Sequence, residues 1–120
     1  PVDQQESLSE LLRAAEHNEH EEYEDVYQAF GDTATEEGFH EAASAFYQIA
    51  EVEHTHELRF GKLAKMLEDN TYFGGGEVSK WMCTNCGYIH EGSQAPRFCP
   101  ACRHEQGYFI PYEFACYKGE

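Results

Sequence analysis

Basic residues are scarce in this chain of 120 residues: eight Lys plus Arg stand against 23 Asp plus Glu, a formal net charge of -15. Nucleic acid and anionic membrane both need a basic surface to bind, so neither is an expected partner, whereas metal cations are. Long apolar runs are missing too. No window approaches the roughly 18 consecutive apolar residues of a membrane span, and the opening Pro1-Val-Asp-Gln-Gln has neither a basic nor an apolar leader pattern; the expected location is the cytoplasm. At 41% hydrophobic content the chain suits one ordinary domain or two small ones. Neither small one could bury a large core alone, so help from metal or a partner chain is expected.

What the chain does hold is an amphipathic helical pattern followed by cysteine knuckles. Leu8, Leu11, Leu12, Ala15, Val26, Ala29 and Phe30 recur at helical spacing. Ser7 and Glu10 form a candidate capping box at the start, and Gly38 a candidate C-terminal cap. Gly31 costs such a helix about 1 kcal/mol against Ala, but the pattern resumes beyond it. A second stripe, Phe39, Ala42, Phe46, Ile49, Phe60, Leu63 and Leu67, ends near Asn70. Two long helices around Gly38 make an antiparallel hairpin. The run Phe73-Gly74-Gly75-Gly76 then breaks the period. The expected division is a helical hairpin at 1–73, a linker at 74–78 and a cysteine domain at 79–120, with small strands and knuckles around a metal rather than a hydrophobic core.

Charged residues interrupt both stripes. Glu19 and Glu22 fall between Ala15 and Val26 on the apolar face, and Glu53 and His56 between Ile49 and Phe60. Each pair is spaced i, i+3 and shares one helix face. Glu22 lies 16 residues before Gly38 and Glu53 15 after it; Glu19 lies 19 before and His56 18 after. At a rise of about 1.5 Å per residue the four side chains meet at one level of the hairpin. E-x-x-E and E-x-x-H arise easily in so acidic a chain and usually mark a solvated face. Burying unpaired carboxylates costs several kcal/mol each, however, so four such groups inside apolar stripes imply neutralising cations. Oxygen donors with one imidazole suit iron or manganese. His17, His20, His40 and His54 fall off the stripe and read as solvated. A hairpin supplies two of the four helices of a ferritin-like bundle, so the remaining ligands are expected from another chain or segment.

Four of the five cysteines, Cys83, Cys86, Cys99 and Cys102, form two C-x-x-C pairs with twelve residues between them. Four thiolates so spaced make a tetrahedral metal site. Gly87 permits a tight turn after the first pair, and Pro100 stiffens the second. Zinc ribbons use this spacing as well. Trp81, Tyr88 and Phe98 are expected to shield the thiolates from water, and pairing with a redox-capable carboxylate site favours iron, with zinc as a substitute. Cys116 reads as a small buried hydrophobe.

With both motifs in place, the chain resembles the rubrerythrins from the first helix through Glu113. The stretches that carry the resemblance are Glu19-His-Glu-Glu22-Tyr23, Glu36-Glu-Gly38-Phe39, Glu53-His-Thr-His56-Glu57 and Lys80-Trp81-Met-Cys83-Thr-Asn-Cys86-Gly87-Tyr88-Ile-His90-Glu91-Gly92. The resemblance implies half of a ferritin-like four-helix bundle plus a small rubredoxin-like domain. It implies that Glu19, Glu53 and His56 are di-iron ligands, that Glu22 is an extra carboxylate exchanging with a His as iron changes oxidation state, and that Tyr27 is a phenol hydrogen-bonded to a carboxylate. The implied activity is reduction of hydrogen peroxide to water in oxidative-stress defence, with electrons passing from an NAD(P)H-dependent reductase through the four-cysteine iron centre. Family members carry a preceding helix pair with another Glu and another Glu-x-x-His. The absence of an initiating Met favours a split or cleaved protein over a symmetric dimer of hairpins. Two other functions fit the residues: iron oxidation and storage, or a zinc-ribbon binding module with an acidic hairpin. Arg103 stands where a simple rubredoxin usually has Gly.

Overall fold

The computed structural model describes residues 4–77 and 79–119. They divide into two compact units, the first running to Lys65 and the second starting at Met66.

The first unit is the helical hairpin. Helix α1 spans Leu8–Glu21, a π-helical segment covers Glu22–Val26, and α2 follows from Tyr27 to Glu36, so one rod contains a single wide turn. Ser7 caps it by accepting a hydrogen bond from the Glu10 N–H at 3.2 Å. Glu10 reaches back to the N–H of Glu6 at 3.0 Å, one residue earlier than in the usual capping box. The rod ends at Gly38, whose φ of 85° is the left-handed conformation that favours glycine. There the Phe39 N–H bonds the Ala34 carbonyl and the Gly38 N–H the Thr35 carbonyl, answering two carbonyls that the helix end leaves open. Helix α3 spans His40–Glu68. Its end repeats the device with Asn70 at a φ of 59°, the Thr71 N–H bonding Met66 and the Asn70 N–H bonding Leu67.

The π segment corrects the expected stripe. A π turn holds one residue more than an α turn, so the inward face slips along the sequence. Val26 and Ala29 are exposed, whereas Tyr27 is half-buried and Gly31 and Ala34 are buried. Small residues let the helices approach closely: Ala34, Ala43 and Ala50 are buried, and the Tyr47 ring lies against Gly31, where a Cβ would come within 2.3 Å of it. The Tyr47 hydroxyl donates to Asp32 at 2.5 Å.

In the second unit, strands β1 (Lys80–Cys83), β2 (Ile89–Glu91) and β3 (Phe109–Pro111) form an antiparallel sheet in the order β2-β1-β3. Trp81, Cys83, Ala95, Cys99 and Phe109 pack into one cluster, with Phe73, Tyr88 and Cys102 against it. The unit therefore has a small hydrophobic core, and two of the cysteines belong to it. The Phe73 carbonyl accepts the Ala95 N–H, and Gly74 bridges Gln94; of the stretch expected as a linker, Val78 lies outside the described residues. Cys116 is exposed, against expectation, and Ala115 is the buried residue of that segment. Phe98 is half-exposed and shields less than the sequence pattern implied, while Trp81 and Phe109 are fully buried.

Candidate metal centres

The hairpin brings Glu19, Glu53 and His56 together, their ligand atoms all within 4.8 Å of one another. Glu19 comes from the last turn of α1 before the π segment, and Glu53 and His56 from one face at the middle of α3. His56 Nδ1 is 2.9 Å from Glu53 Oε2 and 3.6 Å from Glu19 Oε2. Glu19 Oε2 is buried and has no hydrogen-bond partner, an arrangement that costs about 1–3 kcal/mol if nothing answers it. Hydrogen bonding with Glu53, burial, and the charges of Glu53 and Glu22 push Glu19 above the usual carboxylate range. The same hydrogen bond, with His56 beside it, holds Glu53 below that range despite its burial. Two carboxyls thus compete for one negative charge. A cation removes the competition and takes the orphaned oxygen, so the residues fit a metal centre.

Glu22 sits half-buried in the π segment, outside the three-residue cluster but close enough for its charge to act on Glu19. Tyr27 lies one residue beyond that segment, its ring 5.9 Å from Phe30 and 6.3 Å from Phe46; among the described residues its hydroxyl makes no hydrogen bond to a carboxylate. The histidines expected at the surface separate. His17, His20 and His40 are exposed, with His20 paired to Glu57 at 2.9 Å, while His54 is half-buried with its ring 4.3 Å from that of Tyr23.

In the small unit the four sulfurs of Cys83, Cys86, Cys99 and Cys102 also lie within 4.8 Å of one another. Cys83 and Cys102 are 3.7 Å apart, as are Cys86 and Cys99. A tetrahedron with metal–sulfur bonds of about 2.3 Å has edges of about 3.8 Å, so the thiols stand at coordination spacing. Two matching knuckles place them. In the first, the Gly87 N–H bonds the Cys83 carbonyl at 2.8 Å; in the second, the Arg103 N–H bonds the Cys99 carbonyl at 2.9 Å. Gly87 has a φ of 83° and Arg103 a φ of 67°. Arg103 therefore takes the left-handed conformation that glycine takes in the first knuckle, and the turn keeps its hydrogen bond.

The crowding sets the thiols against each other. The backbone N–H of Tyr88 favours the Cys86 thiolate, but desolvation and three thiol neighbours outweigh it and push Cys86 up to about 12. At Cys102 the backbone N–H of His104 prevails over desolvation, with help from Asn85, Cys86 and Cys99, and draws the thiol down to about 5. A bound cation lets all four ionise together. Sequence reasoning missed Asn85 and Phe109, because neither residue type announces a place beside a thiol. Cys83 and Cys99 are buried and Cys86 is exposed, so the centre meets solvent on one side.

Comparison with known proteins settles the ancestry. Residues 2–64 match the family model for rubrerythrin, and residues 81–110 match that for the rubrerythrin rubredoxin-like domain. The chain belongs to the rubrerythrin family. It is 50% identical over 105 residues to a rubrerythrin of Porphyromonas gingivalis, covering 88% of this chain and 52% of the relative. A rubrerythrin of Clostridium perfringens is 50% identical over 103 residues, covering 86% of this chain and 52% of that protein. Among solved structures, nigerythrin in a partially reduced state aligns with a TM-score of 0.52 at 28% identity, over 92% of this chain and 52% of that one. The chain thus spans about half the length of the rubrerythrins it matches. Its hairpin corresponds to two of the four helices of a ferritin-like bundle. The carboxylate–histidine group fits a di-iron site, and the four cysteines suit a mononuclear iron site. Among the described residues no helix is long and apolar enough to cross a membrane.

Proposed function

We propose that this chain supplies the electron relay and half of the catalytic site of a peroxidase that reduces hydrogen peroxide to water, in cytoplasmic defence against oxidative stress. The observation that carries the reading is the presence, in one chain, of a carboxylate–imidazole cluster with a buried unsatisfied oxygen and a four-thiol cluster at coordination spacing. Glu19, Glu53 and His56 hold the di-iron centre, and Glu22 is the further carboxylate that joins it. Tyr27, one residue beyond the π segment, is the phenol assigned to support a carboxylate of that centre. Cys83, Cys86, Cys99 and Cys102 hold the relay iron. The hairpin, 1–73, and the cysteine domain, 79–120, are the two working modules, joined by 74–78.

The reaction needs two electrons and two protons per peroxide and yields two waters. Iron in an oxygen- and nitrogen-rich site supplies open coordination positions and one-electron redox steps. The chain's own part is electrostatic and geometric. Glu19 and Glu53 present negative charge to the cations, and His56 Nδ1 faces both carboxylates. Cys86, the exposed ligand, offers the relay centre an approach for a reductase fed by NADH.

The test is peroxide turnover by the iron-loaded protein assembled with whatever completes its bundle, using a chemical reductant. Turnover should fall at least about 100-fold in Glu53→Ala and His56→Ala. Undiminished turnover in both variants would sink the proposal. Dioxygen-driven iron uptake that survives loss of residues beyond Gly76, without peroxide turnover, would mark an iron-storage protein instead.

A further inference from the structure

Two cations stand uncommitted beside the four-cysteine centre. With 23 acidic residues against eight basic ones, a guanidinium without a carboxylate is unexpected in this chain, and Arg13 and Lys80 do pair with Glu16 and Glu91. Arg97 and Arg103 are exposed, and among the described residues neither has an ion-pair partner, although Glu105 lies two residues beyond Arg103. Arg97 stands two residues before the ligand Cys99, and Arg103 directly follows the ligand Cys102.

Arg103 is also a residue that the fold does not ask for. The first knuckle makes the same turn with Gly87, through the same N–H to carbonyl bond and a φ of 83° against the 67° of Arg103. A left-handed residue with a Cβ crowds its own backbone, so glycine would serve the second knuckle at least as well. A backbone outlier kept in spite of its cost points to a task for the side chain. That side chain is held at the surface, its guanidinium 6.0 Å from the centroid of the half-exposed Phe98 ring.

The two knuckles meet solvent at their turn residues. Cys86, Gly87 and Arg103 are exposed, whereas Cys83 and Cys99 are buried. A Cβ built on Gly87 meets nothing within 4 Å, so the backbone beside the exposed ligand is open to close approach. Tyr108 joins this corner to the cationic one. Its carbonyl accepts the N–H and the hydroxyl of Thr84 at 2.8 and 2.7 Å, and its exposed ring lies 4.5 Å from that of His104, the neighbour of Arg103. Exposed aromatic rings beside arginines are the composition of protein–protein contact centres. Electron-transfer encounters use small interfaces of this kind and are guided by charge.

We propose that this face receives a one-electron donor protein through an acidic patch: carboxylates of the donor engage Arg97 and Arg103 around the Phe98 ring, and the electron enters on the Cys86 side. The donor loses one electron and the centre gains it, Fe(III) becoming Fe(II), with no proton or group transferred. The inference rests on the reading of the four cysteines as an iron relay. Most of the chain repels an acidic donor, so the two arginines select the orientation in which it lands.

The test uses the full chain and, as the probe, plant-type [2Fe–2S] ferredoxin, an acidic one-electron protein. With zinc in the four-cysteine site no electron moves, and ferredoxin should shift the amide resonances of Phe98, Arg103 and Tyr108. Arg97→Gln and Arg103→Gly should each weaken that binding about 2- to 5-fold at low salt, the span of an exposed ion pair. Arg103→Lys keeps the charge and should lose less. In the iron-loaded chain the bimolecular rate of reduction by reduced ferredoxin should fall by similar factors. The difference should vanish at about 1 M salt, where charges are screened within about 3 Å. Reduction by hexaammineruthenium(II), a small cation, should not fall. Binding and rates indifferent to both variants overturn the proposal and leave the relay reading standing, as does an equal loss with both reductants, which marks damage to the centre. An Arg103→Gly effect on the chain's own sedimentation, without one on ferredoxin binding, assigns the cations to a contact between copies and also overturns it. A chain that takes zinc but no iron, or whose iron neither reductant reduces, overturns both.

Discussion

The two knuckles of the cysteine unit make the same turn with different residues, and that difference has a measurable energy. Gly87 and Arg103 occupy equivalent places, each donating its N–H to the carbonyl of the first cysteine of its pair, and both are left-handed. For a residue with a Cβ this conformation costs roughly 1–2 kcal/mol. Nothing lies within 4 Å of a Cβ built on Gly87, so Gly87→Ala introduces that backbone strain and no steric clash. The expected loss is about 1–2 kcal/mol. Arg103→Gly releases the same strain but gives up the guanidinium stacked 6.0 Å from the Phe98 ring, worth about 0.5 kcal/mol at an exposed position; the net expected gain is about 0.5–1.5 kcal/mol. Arg103→Ala separates the two effects, because it keeps the strain and loses the stacking, and should be slightly destabilising. The assay is thermal unfolding of the zinc-loaded chain together with the rate of zinc release to a chelator. For a unit this small, 1 kcal/mol corresponds to roughly 8 °C in Tm. Arg103→Gly that melts no higher than the parent, or Gly87→Ala that melts with it, would refute the assignment of strain to the second knuckle.

Three further outcomes are expected. In the hairpin, Gly31→Ala should destabilise by about 1–3 kcal/mol, because the new methyl group meets the Tyr47 ring at 2.3 Å; Gly61→Ala meets only the mobile end of Glu16 and should gain up to about 1 kcal/mol of helix propensity, both measured by chemical denaturation. The metal-free hairpin should respond to acid in a defined sense. Glu19 is raised above its ordinary 4.5, so its contribution to stability is present below that value and is lost as pH rises through the raised pKa; melting followed upward from pH 4.5 should show the loss, and Glu19→Gln should remove this component of it. Glu53, held low, acts oppositely and loses its contribution only as pH falls through its depressed pKa. Finally, Cys99→Ser should remove the metal of the small unit and unfold it, seen as loss of near-ultraviolet dichroism from Trp81, since Cys99 is both ligand and core residue.

The chemistry of both centres was legible in the sequence, because it depends on residue types at short spacing. Glu53 and His56 share a face by i, i+3 spacing alone, and C-x-x-C forces two sulfurs into one knuckle whatever surrounds them. Their meeting with Glu19 was legible for a different reason: the left-handed Gly38 fixes the turn, and residues equidistant from a turn lie level. The part that could not be read begins three residues past Glu19. Extrapolating a constant α period placed Val26 and Ala29 inward, whereas the π segment puts Tyr27, Gly31 and Ala34 there. No propensity scale predicts a π turn, since its cost is repaid by tertiary contacts absent from the local sequence. The one available signal was Gly31: expensive in an α-helix interior, it is explained once the slip brings it beneath Tyr47.

That slip also bears on the carboxylates. The wide turn starts at Glu22, so Glu19 lies on the unperturbed side with α1 while everything from Tyr27 onward is rotated relative to it. The register therefore serves two ends that a uniform helix could not serve together: Glu19 faces Glu53 and His56, and Gly31 lies beneath Tyr47 of α3 with Ala34 buried. A deletion that restored a uniform α period would have to give up one of them. Deleting a single residue between Glu22 and Val26 makes the distinction observable. If packing against α3 governs, the deletion should preserve the helix pair, rotate Glu19 away from Glu53 and abolish Mn(II) uptake with little change in melting. If melting collapses while uptake persists, the π segment exists for the fold and not for the site.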